Sequence, residues 1–170
     1  MFLEPCCINK QLHELIHRLE TGTEHSEWVV TSGDVPMAMM LEAMTCLCTK
    51  SDVIIVLVVI EQNTIDKIKW MFTQKNNTVE HVTLVTAGHN SKEIEESFRQ
   101  LIKEGKITIC EYPVAYRAIA FADDKRKVVL HGSIFQENNF SQQLFTVSIA
   151  EKDYKILASL VNHHKRFHRC

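Results

Sequence analysis

The sequence predicts an α/β protein: a mixed, mostly parallel sheet with helices on both faces, built as one domain over residues 1–170. Three observations carry that prediction. Helical and extended patterns alternate up to residue 112, the order that parallel strands with right-handed crossovers require. The run DVIIVLVVI (52–60) is apolar without alternation, as in a strand covered on both faces. Beyond residue 117 the rhythm changes to extended runs with no helix between them, which suits antiparallel pairing within the same sheet.

Each element follows from its pattern. INKQLHELIHRLE (8–20) sets Ile8, Leu12, Leu15, Ile16 and Leu19 on one face at helical spacing. EWVVTS (27–32) is a short strand. The next helix has Pro36 near its first turn and Met37, Met40, Leu41, Met44, Leu47 and Cys48 along one stripe. That spacing fits a buried face better than an adaptable methionine surface. After the apolar strand, 64–74 is helical with Ile65, Ile68 and Phe72 inward. VEHVTLVTA (79–87) is a strand. Asn90 and Glu93 form a cap pair for the helix carrying Ile94, Phe98, Leu101 and Ile102, which Gly105 ends. KITICEY (106–112), AIAFA (118–122), KVVLHGS (127–133) and QLFTVSI (143–149) are strands, and about 152–168 closes the chain as a helix.

Bulk properties exclude several classes. The 170 residues suffice to bury about 70% of the unfolded surface. A net charge of -2 gives no global field toward nucleic acid or an anionic membrane, so any such binding needs a local patch. The longest apolar run, 53–60, is far short of the roughly 20 residues that span a bilayer, and no membrane partner is expected. MFLEPCCINK carries an acid at Glu4 and neither a basic nor a long apolar stretch, so the expected location is cytoplasmic without a cleaved signal. Among six cysteines no C-x-x-C occurs, which predicts neither a disulfide framework nor a zinc site; Cys46, Cys48 and Cys110 fit small buried hydrophobes.

One stretch carries chemistry by its frame. YRAIAFADDKRKVVLHGS (116–133) is two strands joined by a charged turn and closed by Gly-Ser. With the element order around it, this resembles the phospholipase D-like phosphodiesterase and nuclease superfamily, whose signature runs H-x-K-x4-D, a spacer, then G-S-x-N. Laid on the chain, Tyr116 stands at the histidine, Ala118 at the lysine and Asp123 at the aspartate; Gly132 and Ser133 match, and Phe135 occupies the asparagine position. Gln142 or Gln143 lies where many members carry glutamate. The resemblance covers 28–168 as a pattern and implies a phospholipase D-like sandwich, with a homodimer as the natural assembly of a site shared between two domains.

The replaced residues imply a degenerate member. In this family the histidine attacks phosphorus covalently, and the lysine and asparagine stabilise charge in the transition state. A tyrosine hydroxyl, with a pKa of about 10, is far less available than imidazole at neutral pH. Alanine supplies no charge and phenylalanine no hydrogen bond. Losing one such electrostatic group costs on the order of 10² to 10³ in rate, so with three lost the inherited mechanism is expected to be dead.

Other residues are candidates for holding an anion. Arg117 lies between the vacated positions, although strand alternation turns it to the opposite side. His131 precedes Gly132. His89, Asn90 and Ser91 sit between a strand and a helix N-terminus, where phosphate can bind or where Asn90 simply caps the helix. Lys125 and Arg126 form a basic hairpin tip, and Lys165 and Arg166 a basic helix end. His164 and His168 have the i, i+4 spacing of zinc ligands, but a solvated helix end explains the tail NHHKRFHRC as well, and no metal or cofactor is expected.

Three functions fit these residues. The first is a catalytically inactive phospholipase D-like module that binds nucleic acid or phosphate or acts in assembly, as a homodimer. The second is a phosphodiesterase or nuclease with a non-standard site built on His131, His89 or the tail. The third is a protein-interaction module with no phosphate ligand.

Overall fold

The computed structural model describes residues 2–3, 7–31, 35–74, 79–87, 91–114, 117–135 and 142–167. Its elements run β1 (Phe2–Leu3), α1 (Ile8–Thr21), β2 (Ser26–Thr31), α2 (Met37–Thr45), β3 (Ser51–Leu57), α3 (Gln62–Met71), β4 (Val79–Thr86), α4 (Ser91–Lys103) and β5 (Ile107–Glu111). Then come β6 (Arg117–Ala122), β7 (Lys127–Phe135), β8 (Gln142–Ser148) and α5 (Glu151–Phe167). The protein is α/β, with one 8-stranded sheet in the order β1-β2-β8-β7-β6-β3-β4-β5.

The sheet is mixed, but not mostly parallel as expected. Its parallel pairs are β1–β2, β3–β4 and β4–β5. Its antiparallel pairs are β2–β8, β3–β6, β6–β7 and β7–β8. The helix-free strands do not extend one edge. They fill the centre between β2 and β3, which adds an antiparallel junction on each side.

That insertion also decides where the helices lie. Four reversals separate β2 from β3, so β1 to β5 all point the same way, and each connection between them advances across the sheet in one direction. Right-handed crossovers then place α1, α2, α3 and α4 on a single face. Their Leu12, Leu41, Ile68 and Phe98 share a core with Val29, Val53, Val82 and Ile107 of the sheet. Among the described residues only α5 covers the other face, where Leu157 and Val161 pack against Val56, Val85, Ala118 and Val129. Helices do occupy both faces, four against one.

Several local expectations match. Val53, Ile55 and Leu57 enter one core while Ile54 and Val56 enter the other, as the non-alternating run requires. Gly105, at φ 70, ends α4: its N–H donates to Ile102 and that of Lys106 donates to Leu101. The expected cap at Asn90 lies outside the described residues. The helix α3 begins at Gln62 rather than 64, and β1 was not foreseen. Cys48 and Cys110 are buried, but Cys46 is exposed because α2 stops at Thr45 and the next residue falls in the turn. No helix among the described residues is long and apolar enough to cross a membrane.

Candidate functional site

The two strands of the signature, β6 and β7, are antiparallel neighbours in which Arg117 faces Gly132 and Ala118 faces His131. This register sorts the candidate residues by face. Ala118 points toward α5, is only 1% exposed, and belongs to the apolar cluster of Leu157 and Val161. Arg117 and Gly132 point the opposite way, as alternation predicted, toward the start of α2. There, Val35, Met37, Met40, Leu130 and Phe145 join Arg117 around a cleft of about 40 Å³. That volume holds a few waters at most. Among the described residues that line it, half-buried Arg117 brings a guanidinium, and His131 also lies on the lining.

Gly132 is fixed by packing. A Cβ built on it would lie 2.4 Å from the Leu144 carbonyl oxygen and 2.6 Å from the Phe145 Cα, both main-chain atoms of β8. Glycine at this position is required for β7 and β8 to approach each other, whatever chemistry the cleft supports.

Asp123 also has a structural task. Its Oδ1 accepts hydrogen bonds from the N–H groups of Lys125 and Arg126, both at 2.8 Å, which closes the β6–β7 turn. Its Oδ2 lies 3.4 Å from the N–H of Thr49, just past α2. Arg126 is occupied as well: Nε pairs with Glu20 at 3.1 Å and Nη1 donates to the Leu47 carbonyl at 3.3 Å. Lys127 pairs with Glu151 at 3.1 Å. Of this basic tip only the exposed Lys125 is left without an ion pair among the described residues. The thiol of Cys48, beneath the same turn, is pushed up to about 12 by burial and then by the carboxylate of Asp123, so it is no nucleophile at neutral pH.

The candidates therefore divide between the two ends of the sheet. Arg117 and His131 lie where the parallel strands finish; Lys125 and Arg126 lie about 20 Å away, by the rise of β6. The helix α5 starts beside Lys127 and runs back toward the Arg117 end, where its last turn carries Lys165 and Arg166. The side chains of Lys165 and Arg166, and those of Ser91, Ser133, Phe135, Gln142 and Gln143, lie outside the described residues. So do Tyr116, His89, Asn90, His168 and Cys170 entirely. Among the described residues no group of three or more His, Cys, Asp or Glu is placed to hold a metal.

Sequence reasoning did not find the tie between Arg126 and Glu20, which spans most of the chain. It also missed that β5 is an edge strand of the sheet among the described residues, because its pattern resembles that of any short strand.

No family model matches the chain, and no curated protein matches it. Among solved structures it is similar to TrmBL2, an archaeal chromatin protein whose structure is described as showing a novel mode of DNA binding. The identity is 15% and the TM-score 0.47, over 94% of this chain and 59% of that one. The chain thus spans under two thirds of that protein's length.

Proposed function

We propose that the chain is a phospholipase D-like module without catalysis that works by binding, holding nucleic-acid phosphate at the Arg117 end of its sheet and acting as a homodimer. The observation that carries this reading is the register of β6 and β7. The residue in the signature's lysine position, Ala118, is buried against α5 and uncharged, while the nearest cation, Arg117, faces the other side. A charge stabiliser on these strands would have to sit on the face of the signature's lysine position, and that position holds a buried alanine. At that end of the sheet the register leaves Arg117 on the α2 face and His131 on the α5 face, so Arg117 is the cation proposed to meet a phosphate there.

The test measures fluorescence anisotropy of labelled DNA and RNA at low and moderate salt, beside phosphodiester turnover with and without chelator. Binding that weakens steeply with salt and falls in Arg117→Ala, with no turnover, supports the reading. Turnover abolished by His131→Ala overturns it in favour of an enzyme. A second reading, protein interaction without phosphate, is favoured by one observation: Arg126 and Lys127 are held by Glu20 and Glu151, so among the described residues no continuous cationic track joins the two ends. Absence of nucleic-acid binding at micromolar protein in low salt would leave that second reading.

A further inference from the structure

The helix α1 contains the run HELIH (13–17), two histidines at i, i+4 with a glutamate after the first. At that spacing on a helix two imidazoles can close on one zinc ion. Packing fixes which way they point. Ile8, Leu12, Leu15, Ile16 and Leu19 bury one side of α1, and His13, Glu14 and His17 are exposed on the other. His13 and His17 stand about 40° apart around the axis and about one turn apart along it. Residues so placed have Cβ atoms roughly 5–6 Å from each other, and Zn–N bonds of about 2.0–2.1 Å let one ion sit between their rings.

The charged neighbours on α1 are already engaged. Lys10, three residues before His13, lies 3.8 Å from the Glu14 carboxylate. Glu20, three residues after His17, takes the Arg126 guanidinium at 3.1 Å, and Arg18 pairs with Glu27. The imidazoles therefore decide what binds here. We propose that His13 and His17 form a surface site for one transition-metal dication of the zinc, nickel or copper class, held by two ring nitrogens and completed by water. Nitrogen donors select that class over magnesium or calcium, which require oxygen. Among the described residues no group of three or more His, Cys, Asp or Glu is placed to hold a metal, so the protein supplies two ligands and not a closed structural site. Glu14 is held by Lys10, and α1 lines no part of the Arg117 cleft, so the site is assigned binding alone. The ion bridges consecutive turns of a helix that the unfolded chain lacks, and binding stabilises the folded state.

Calorimetric titration of the untagged, reduced whole chain with zinc and with nickel tests the site, beside thermal unfolding with and without each metal. His164 and His168 share the i, i+4 spacing, so variants must separate the two pairs. His13 and His17 are exposed, and their alanine variants are expected to fold as the wild type does. Each is expected to weaken one equivalent of zinc and of nickel by at least about 10-fold and to reduce the rise in Tm that metal gives the wild type. That equivalent should persist in the double variant His164→Ala with His168→Ala, and magnesium should neither bind nor shift the Tm. Zinc and nickel binding unchanged in both His13→Ala and His17→Ala overturns the site. So does binding lost only in the double variant, or no binding by the wild type at about 1 mM free metal. None of these outcomes alters the phosphate test at Arg117, which lies on β6.

Discussion

Asp123 reaches the N–H of Thr49 across 74 residues of sequence while closing its own turn on Lys125 and Arg126. One carboxylate thus fixes the hairpin that occupies the centre of the sheet and anchors it to the end of α2. Asp123→Ala is expected to lower stability by about 1–2 kcal/mol, with Asp123→Asn losing less because an amide oxygen still accepts. Urea denaturation of both variants checks this; equal loss in the two would show that charge, not the turn bonds, dominates.

Gly132→Ala should be far more damaging than an ordinary surface change. The new methyl would meet main-chain atoms of β8 that cannot rotate away, at 2.4 and 2.6 Å. We expect a loss of at least about 3 kcal/mol, or no soluble folded protein. Thermal unfolding within a few degrees of wild type would contradict the packing argument.

Cys48 should behave as a hidden thiol. With its pKa raised from 9.0 to about 12, the folded state holds that proton more tightly than the unfolded state. Its contribution to stability is complete below about pH 9 and is lost as pH rises toward 12, so the wild type should lose stability over that window faster than Cys48→Ala. At about pH 8 a disulfide reagent should modify equal numbers of thiols in the native wild type and in Cys48→Ala. One fewer fast-reacting thiol in the variant would overturn this.

Ser51 presents the reverse case. Its hydroxyl is buried at the start of β3 and has no hydrogen-bond partner among the described residues. Ser51→Ala should be neutral or stabilising by about 0.5–1 kcal/mol, since it removes an unsatisfied polar atom. A clear destabilisation in equilibrium unfolding would mean the oxygen is bonded after all.

What could be read from the sequence depended on how local the cause was. The stripe of α1, the doubly covered strand around Ile55 and the stop at Gly105 are written in spacing of a few residues. The position of β6 to β8 is not, because their extended pattern is the same at an edge or in the centre. Choosing the centre depends on β2 and β3 being available on either side. At the site, alternation alone put Arg117 opposite in facing to Ala118. The duties of Gly132 and Asp123 needed register and a turn in three dimensions, and the engagement of Arg126 by Glu20 needed the whole tertiary fold.

The central position of the last three strands sets an order of events for a chain made from its N-terminus. When residue 111 has been made, β2 has a two-residue neighbour on one side and β3 has β4, but each presents a full open edge to the other. The edge of β3 can close once β6 is complete at Ala122, but that of β2 cannot close until Ser148 has been made, because β8 supplies its partner. The nascent protein therefore carries an open border at β2 for most of its manufacture, a period in which a holding chaperone would have something specific to hold. A shortened product ending before β8 would keep the border at β2 permanently, and its expected fate is aggregation rather than a smaller working unit.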